Sequence, residues 1–412
     1  MIDRRNLQAF HPFVRLNRLL DGIAPGRSIL PGGAPLALSV GEPRNNPPGF
    51  VAEAIAANAA DWSRYPTPRG TPAYLQAAAD WLQWRYALPE SATAPGGMID
   101  PDTSILPVPG TREGLFFAAL AAVPPSRDGR PPVILIPSPA YHVYAGAAAA
   151  AGAEAVFVPS GRETGDLPDF ESLDPDILAR TALCYLCSPS NPQGIAADKP
   201  YYTGLIKLAR RHDFVVAFDE CYAEIYTDAP PAGALEAALD LGGTLDRMLV
   251  FHSLSKRSNA PGLRCGFVAG PPNLLEPLDS LQRVGGAGVP LPVIAAGTRL
   301  WQDNDHVGPI RAFYQDNFAI AERVLGNRFG FRKPDGGFFL WLDVGDGEAA
   351  ARTLWAEAGL RVLPGGYMCG DAAAAQNGGS AAANPGAAHI RVALIYGPEI
   401  TEAALRRIAD LL

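Results

Sequence analysis

Short apolar runs separated by segments of helical periodicity constrain the fold of this chain more than any other feature. The runs occupy residues 133–137, 183–187, 214–219, 249–253 and 265–269. Runs without polar alternation are typical of strands that are covered on both faces, as in parallel sheets. Segments before and between them, such as REGLFFAALAAV and PYYTGLIKLARRH, have the pattern of helices. This order of strand and helix predicts an α/β fold with a doubly wound, mostly parallel sheet.

The pattern changes after residue 300, where a long helical stretch precedes mixed strand and helix candidates such as GGFFLWLDV and TEAALRRIADLL. We predict a large α/β domain over 45–300 and a smaller α+β domain formed by 301–412 together with 1–44. The N-terminal segment joins the smaller domain because it is too short to bury a core alone. The segment 370–388 is low in complexity and is expected to form a mobile surface loop.

Composition excludes several classes of protein. The 412 residues carry a formal net charge of −8, whereas nucleic-acid-binding surfaces are normally basic. No apolar run is long enough to cross a bilayer, and the first residues lack the apolar core of a signal peptide. We therefore expect a cytoplasmic protein that binds neither membranes nor nucleic acid.

The five cysteines predict neither a disulfide framework nor a metal site. Cys184 and Cys187 form a C-x-x-C pair, but both lie within one strand candidate. Side chains three residues apart on a strand face opposite ways, so they cannot bind one metal ion. We expect both to be core thiols.

Polar residues follow three consecutive strand candidates. They are Asn191, Asp219, Tyr222, Ser253, Lys256 and Arg264. In open α/β sheets, ligands bind at the carboxyl ends of the strands, so we expect these side chains to share one site. Each residue alone has an ordinary structural explanation, such as a helix cap, a turn or a packed aromatic ring. The joint pattern, in this order and at this spacing, indicates a ligand.

Asp219 and Lys256 together restrict the chemistry of that ligand. A buried aspartate needs a cation, and a buried lysine needs a way to lose its charge. A protonated pyridine ring that carries an aldehyde meets both needs, because the aldehyde forms a Schiff base with the lysine. A ring oxygen would accept hydrogen bonds from Asn191 and Tyr222, and a phosphate would bind other polar residues at the strand ends. One ligand with such a ring, an aldehyde and a phosphate would therefore satisfy all of these residues.

With these residues, the chain resembles the fold-type I, pyridoxal-phosphate-dependent aminotransferases of class I/II over essentially its whole length. The resemblance implies that Lys256 is the Schiff-base lysine, that Asp219 pairs with the pyridinium nitrogen and that Tyr222 contacts the ring oxygen. These three residues would be catalytic. Arg264 and Ser253 match the family's phosphate ligands.

The same resemblance assigns further cofactor contacts. Gly110, Thr111 and Arg112 open a helix and would offer backbone amides to the phosphate. Tyr141 matches the aromatic residue that stacks on the cofactor ring. Tyr65 matches the tyrosine that reaches the partner's phosphate, which implies a homodimer with active sites at the interface.

The substrate contacts implied by the resemblance are Gly41, Asn191 and Arg391. Arg391 would clamp the α-carboxylate through two parallel hydrogen bonds. The substrates would be an amino acid and a 2-oxo acid, and no metal ion is implied.

HPFVRL, GTREG and SKRSN are similar to motifs of the N-succinyl-L,L-diaminopimelate aminotransferases of lysine biosynthesis. That likeness predicts this substrate, with glutamate and 2-oxoglutarate as the second pair. The glycine-rich run RVGGAGVP and Ala387 depart from the subfamily, and we expect the run to remodel the mouth of the site. Arg69, Arg283 and Arg44 are candidates for binding a second substrate carboxylate.

Three alternatives are weighed against this function. An aminotransferase for another amino acid, or a carbon–sulfur β-lyase, would use the same lysine, aspartate and arginine on the same fold. A ligand-sensing relative fused to a DNA-binding module would need an N-terminal helix-turn-helix domain, for which the chain has too few residues before the α/β pattern.

Overall fold

Seven strands form the central sheet of the protein in a computed structural model that describes residues 11–286, 288–370 and 384–412. Over all of its sheets, the described part of the chain has the strands β1 (Leu36–Ala37), β2 (Ile105–Val108), β3 (Val133–Ser138), β4 (Glu154–Pro159), β5 (Thr181–Cys187), β6 (Val215–Asp219), β7 (Met248–Ser253), β8 (Gly266–Ala269), β9 (Phe339–Asp343), β10 (Leu360–Arg361), β11 (Leu363–Pro364) and β12 (His389–Ala393). The helices are α1 (Pro12–Leu20), α2 (Phe50–Ala57), α3 (Pro72–Arg85), α4 (Glu90–Thr93), α5 (Pro101–Ser104), α6 (Thr111–Ala122), α7 (Val143–Ala151), α8 (Pro175–Arg180), α9 (Lys199–His212), α10 (Ala234–Asp240), α11 (Leu254–Arg257), α12 (Pro272–Gly285), α13 (Leu291–Gln302), α14 (Val307–Leu325), α15 (Gly347–Ala358) and α16 (Pro398–Leu411).

The central sheet has the strand order β2-β8-β7-β6-β5-β3-β4. Its neighbouring strands are parallel except where β8 pairs with β2 and with β7. All five apolar runs are strands of this sheet, so the predicted α/β fold is confirmed. The apolar runs do not include β4, an edge strand with several half-exposed residues, or β2, which has only four residues.

The two faces of the sheet explain why the runs are continuously apolar. Val133 and Leu135 of β3 belong to one buried cluster, which also contains residues of α3, α9 and α13. Ile134 and Ile136 belong to the cluster on the other face, with residues of α6 and α7. Since both faces are covered by helices, neither set of alternate residues can be polar.

A second, three-stranded antiparallel sheet has the order β11-β12-β9. β1 pairs in parallel with β10, where Leu36 lies opposite Leu360, and so joins the N-terminal segment to the C-terminal residues. The boundary between residues 44 and 45 stays a prediction. The loop expected at 370–388 falls largely on residues 371–383, which lie outside the described residues.

The described cysteines are all free, and Cys184 and Cys187 are buried in β5. Among the described residues no cluster of side chains suited to a metal ion is found. Within the same part of the chain, no helix is both long enough and apolar enough to cross a membrane.

Candidate active site

A cavity of about 450 Å³ lies at the carboxyl ends of three neighbouring parallel strands. The last residues of β5, β6 and β7 all line it, because side chains at the ends of adjacent parallel strands project past one edge of the sheet. The predicted site residues that line the cavity are Gly41, Thr111, Arg112, Tyr141, Asn191, Asp219, Tyr222, Ser253, Lys256, Arg264 and Arg391. Residues far apart in the sequence are thus brought together by the sheet and by the N- and C-terminal segments.

Asp219 ends β6 and is buried on the floor of the cavity. Its Oδ2 accepts a hydrogen bond of 2.8 Å from the Tyr144 hydroxyl, and the Cys221 amide donates to its Oδ1 at 3.4 Å. Burial raises the pKa of Asp219. No cation lies within ion-pair distance of this carboxylate among the described residues. A protonated ring nitrogen in the cavity would be the missing partner.

Lys256 lies in α11, the short helix that follows β7. Its Nζ donates a 2.6 Å hydrogen bond to the Gly41 carbonyl and lies 5.2 Å from the centre of the Phe338 ring. Burial lowers the pKa of Lys256 to about 8. An amine with this pKa is about one-tenth neutral at pH 7, far more than an ordinary lysine, which suits a nucleophile. Ser253 caps α11, since its hydroxyl accepts a 3.1 Å hydrogen bond from the Ser255 amide.

Arg264, Ser253 and the N-terminus of α6 form the cationic end of the cavity. The Arg264 guanidinium donates to the Glu113 carboxylate at 2.5 Å and to the Pro261 carbonyl at 3.0 Å. Gly110 has φ of +95°, and a Cβ there would lie 2.1 Å from an Arg264 nitrogen, so glycine is required. A helix N-terminus next to an arginine and a hydroxyl suits a phosphate group.

Gly110 does not itself line the cavity, and its amide donates to the Val108 carbonyl at 2.7 Å. Thr111 and Arg112, the first residues of α6, do line the cavity. Tyr141 lines it beside them, and its hydroxyl accepts a 2.8 Å hydrogen bond from Arg112 Nε.

Arg391 of β12 forms a second cationic end of the cavity, with partners different from those of Arg264, and it is only 4% exposed. Its Nη1 donates to Asn191 Oδ1 at 2.8 Å, and its Nη2 donates to the Ser39 carbonyl at 2.6 Å. The guanidinium carbon lies 4.2 Å from the centre of the Phe339 ring. Burial lowers the pKa of Arg391 to about 10. A buried guanidinium held only by neutral oxygens is prepared to receive a carboxylate.

Two further residues close the site. Tyr222 packs edge-on against Phe338 and Phe339, at 5.4 and 6.1 Å between ring centres, and burial raises the pKa of Tyr222. Gly41 lies so close to Phe339 that a Cβ would be 2.3 Å from its ring. Tyr65, in contrast, does not line the cavity and is 100% exposed in the single chain.

The three arginines considered for a second carboxylate do not line the cavity. Arg69 and Arg283 both pair with Asp279 at 3.1 Å. Arg44 stacks over the Tyr396 ring at 4.4 Å. In the glycine-rich run, Gly288 approaches the backbone of Thr67 so closely that a Cβ would lie 3.0 Å from its carbonyl oxygen.

The sequence alone does not single out Tyr144 and Glu113, although they contact Asp219 and Arg264 directly. Both belong to motifs that were noted for other residues. Tyr144 lies three positions after Tyr141, and Glu113 directly follows Arg112. Their partners depend on contacts between elements, which the order of residues does not specify.

Comparison with known proteins identifies similar chains. Residues 35–370 match the family described as aminotransferase class I and II. The 4-dedimethylamino-4-oxo-anhydrotetracycline transaminase OxyQ of Streptomyces rimosus is 34% identical over 335 residues, which cover 80% of this chain and 84% of that protein. The LL-diaminopimelate aminotransferase of Moorella thermoacetica is 28% identical over 420 residues, covering 100% and 99%.

A solved structure is similar over nearly the whole chain. The crystal structure of an aminotransferase from Neisseria meningitidis has a TM-score of 0.87 and 35% sequence identity, and the alignment covers 99% of each chain. The similarity therefore extends over the central sheet, the second sheet and the cavity between them.

Proposed function

Because the chain belongs to the class I and II aminotransferases, which depend on pyridoxal phosphate, we propose that it transfers an amino group between glutamate and an amino acid related to L,L-diaminopimelate. The N-succinyl form of that amino acid, in lysine biosynthesis, is the first candidate. Relatives named LL-diaminopimelate aminotransferase support the class of substrate. The observation that carries the proposal is one cavity that holds Lys256, Asp219 and Arg391.

The described residues fit the cofactor at both of its ends. Asp219 is a buried carboxylate without an ion-pair partner, and it would bind the protonated ring nitrogen. Arg264, Ser253 and the start of α6 would bind the phosphate. When bound, pyridoxal phosphate supplies an aldehyde that reacts with amines and a ring that withdraws electrons from the substrate Cα.

Two side chains of the protein would bind the substrate and transfer its proton. Arg391 binds and orients the α-carboxylate, so that the Cα–H bond is held in a fixed direction. Lys256 Nζ would act as the general acid and base that accepts and returns the proton of the substrate Cα. A pKa near 8 suits a group that must accept and return a proton close to neutral pH.

OxyQ favours a second candidate, an amino acceptor with a different carbon skeleton. Its printed name concerns an oxo-anhydrotetracycline, and it is 34% identical to this chain. We further propose a cytoplasmic homodimer, because the fully exposed Tyr65 would become buried if it reached a partner's site.

The first test is the absorption spectrum of the purified holoenzyme before and after addition of glutamate without a 2-oxo acid. We expect the band of the bound cofactor to give way to that of pyridoxamine phosphate. N-Succinyl-L,L-diaminopimelate and L,L-diaminopimelate are then compared by kcat/KM. A spectrum that glutamate leaves unchanged, with pyruvate released from cystathionine, would favour the β-lyase. An absence of any cofactor band after addition of pyridoxal phosphate would contradict the proposal.

A further inference from the structure

A side pocket of about 260 Å³ adjoins the main cavity. The two share Ala140, Tyr141, His142 and Met368, so the side pocket begins where the main cavity ends. Its remaining wall includes the apolar side chains Ile136, Ala145 and Phe157, together with Tyr367 and Arg15. A pocket that has apolar side chains on one part of its wall and a cation on another is suited to a hydrocarbon chain that ends in an anion.

Arg15 is placed in this side pocket by α1. Leu16, Leu19 and Leu20 bury the other face of the helix in the C-terminal core, while Pro12 and Phe13 line the main cavity. The helix therefore contributes residues to both the main cavity and the side pocket. The packing of the helix holds the Cα of Arg15 in place beside the side pocket.

The Arg15 guanidinium lies 4.0 Å from the centre of the Tyr367 ring and is half-buried. Stacking on the ring orients the plane of the guanidinium and leaves its N–H groups free to point sideways. Arg15 has no ion pair among the described residues. Burial raises the pKa of Tyr367, and a hydrogen bond with Glu348 adds to this effect. Within the described ranges, Glu348 forms no ion pair with Arg15.

The other cations of the site already have partners or proposed roles. Arg391 faces the α-carboxylate position, Arg264 pairs with Glu113, and Arg112 donates to Tyr141. Resting on the proposed function, we infer that Arg15 binds the carboxylate at the far end of a long substrate side chain. The substrate class is an amino acid with a remote carboxylate. Its methylene groups would pass Tyr141 and pack against the apolar side chains of the side pocket.

The test compares two amino donors in half-reactions of the holoenzyme, followed by the cofactor absorbance. L-2-Aminopimelate has a long side chain ending in a carboxylate, and L-norleucine is its uncharged counterpart. Arg15→Gln should raise the apparent Kd of 2-aminopimelate about tenfold or more, since a hydrogen-bonded ion pair is lost. The Kd of norleucine should change by less than about twofold, as expected for a group that contacts only the carboxylate.

Arg18→Gln is the matched control, because Arg18 lies on the same helix, is exposed and lines neither cavity. Arg18→Gln should leave the apparent Kd of both donors unchanged. Arg15→Lys should restore part of the preference, since lysine keeps the charge but lacks the planar fork. Equal effects of Arg15→Gln on both donors, or none on either, would overturn the inference. A wild-type enzyme that glutamate and both probes leave unconverted would instead contradict the proposed function.

Discussion

The two cationic ends of the cavity are built in opposite ways. Arg264 is partly exposed, and its charge is already neutralised by the Glu113 carboxylate at 2.5 Å. Arg391 is buried, and its guanidinium donates only to the neutral oxygens of Asn191 and Ser39. Arg264 must therefore give up an ion pair when it binds its ligand. Arg391 has no carboxylate partner among the described residues, so it can bind one without losing an ion pair.

This difference suits the two ligands that we propose. A cofactor phosphate stays bound through many turnovers and also has a helix N-terminus and Ser253, so Arg264 contributes only part of its binding. A substrate carboxylate must bind and leave in each cycle, and its selection depends on the desolvated Arg391. The desolvation cost of Arg391 is met by folding, before the substrate arrives.

Lys256→Ala should have the largest effect, although Lys256 belongs to neither cationic end. Turnover should fall by about 10⁴-fold or more, since the attachment point and the proton carrier are both lost. The cofactor should still bind without a covalent bond, through Arg264 and Asp219. Steady-state assays and cofactor retention after gel filtration measure the two effects. Retained turnover would contradict the assigned role of Lys256.

Arg391→Gln should raise the KM of the amino donor about a hundredfold, since one member of a buried charge pair is removed. Retention of the cofactor should be unchanged. Titration of donor into the holoenzyme and equilibrium dialysis of the cofactor separate these quantities. Arg391→Lys is the matched control, and it should recover only part of the loss because lysine cannot form two parallel hydrogen bonds. If Arg391→Gln weakened the binding of donor and cofactor equally, the two ends of the cavity would not have separate roles.

The pH dependence of cofactor attachment to the apo-protein sharpens the comparison. Lys256 reacts only when neutral, and burial, together with the nearby positive charge of Arg391, lowers its pKa to about 8. The rate should therefore rise about tenfold per pH unit up to about pH 8 and then level off. Stopped-flow absorbance between pH 6 and 10 measures it. Arg391→Gln should move the bend to higher pH, whereas an unshifted bend would argue against coupling between the two residues.

The parts of the site that sequence predicts best are those carried by single strand ends. Asp219 and Ser253 could be placed because continuous apolar runs fix where β6 and β7 end, and parallel strands end at one edge. Arg15 could not be placed, because its position depends on how α1 packs against the C-terminal core. The pair of Arg264 with Glu113 joins the segment before β8 to the first turn of α6, and no local pattern specifies a contact between residues so far apart in the sequence.

Substitutions of Arg264 and Glu113 at the phosphate end should produce the smallest effects. The two substitutions should change the affinity for the cofactor in opposite directions. Arg264→Gln should weaken cofactor affinity about tenfold, since one of several phosphate ligands is lost. Glu113→Gln should raise the affinity about threefold, because it removes a carboxylate that competes with the phosphate for Arg264 while keeping a similar shape. Equilibrium dialysis of the cofactor against apo-protein, with thermal unfolding as a check of the fold, measures both variants. If Glu113→Gln instead weakens binding as Arg264→Gln does, then Glu113 orients the arginine rather than competing for it, and the two ends of the cavity would be prepared alike.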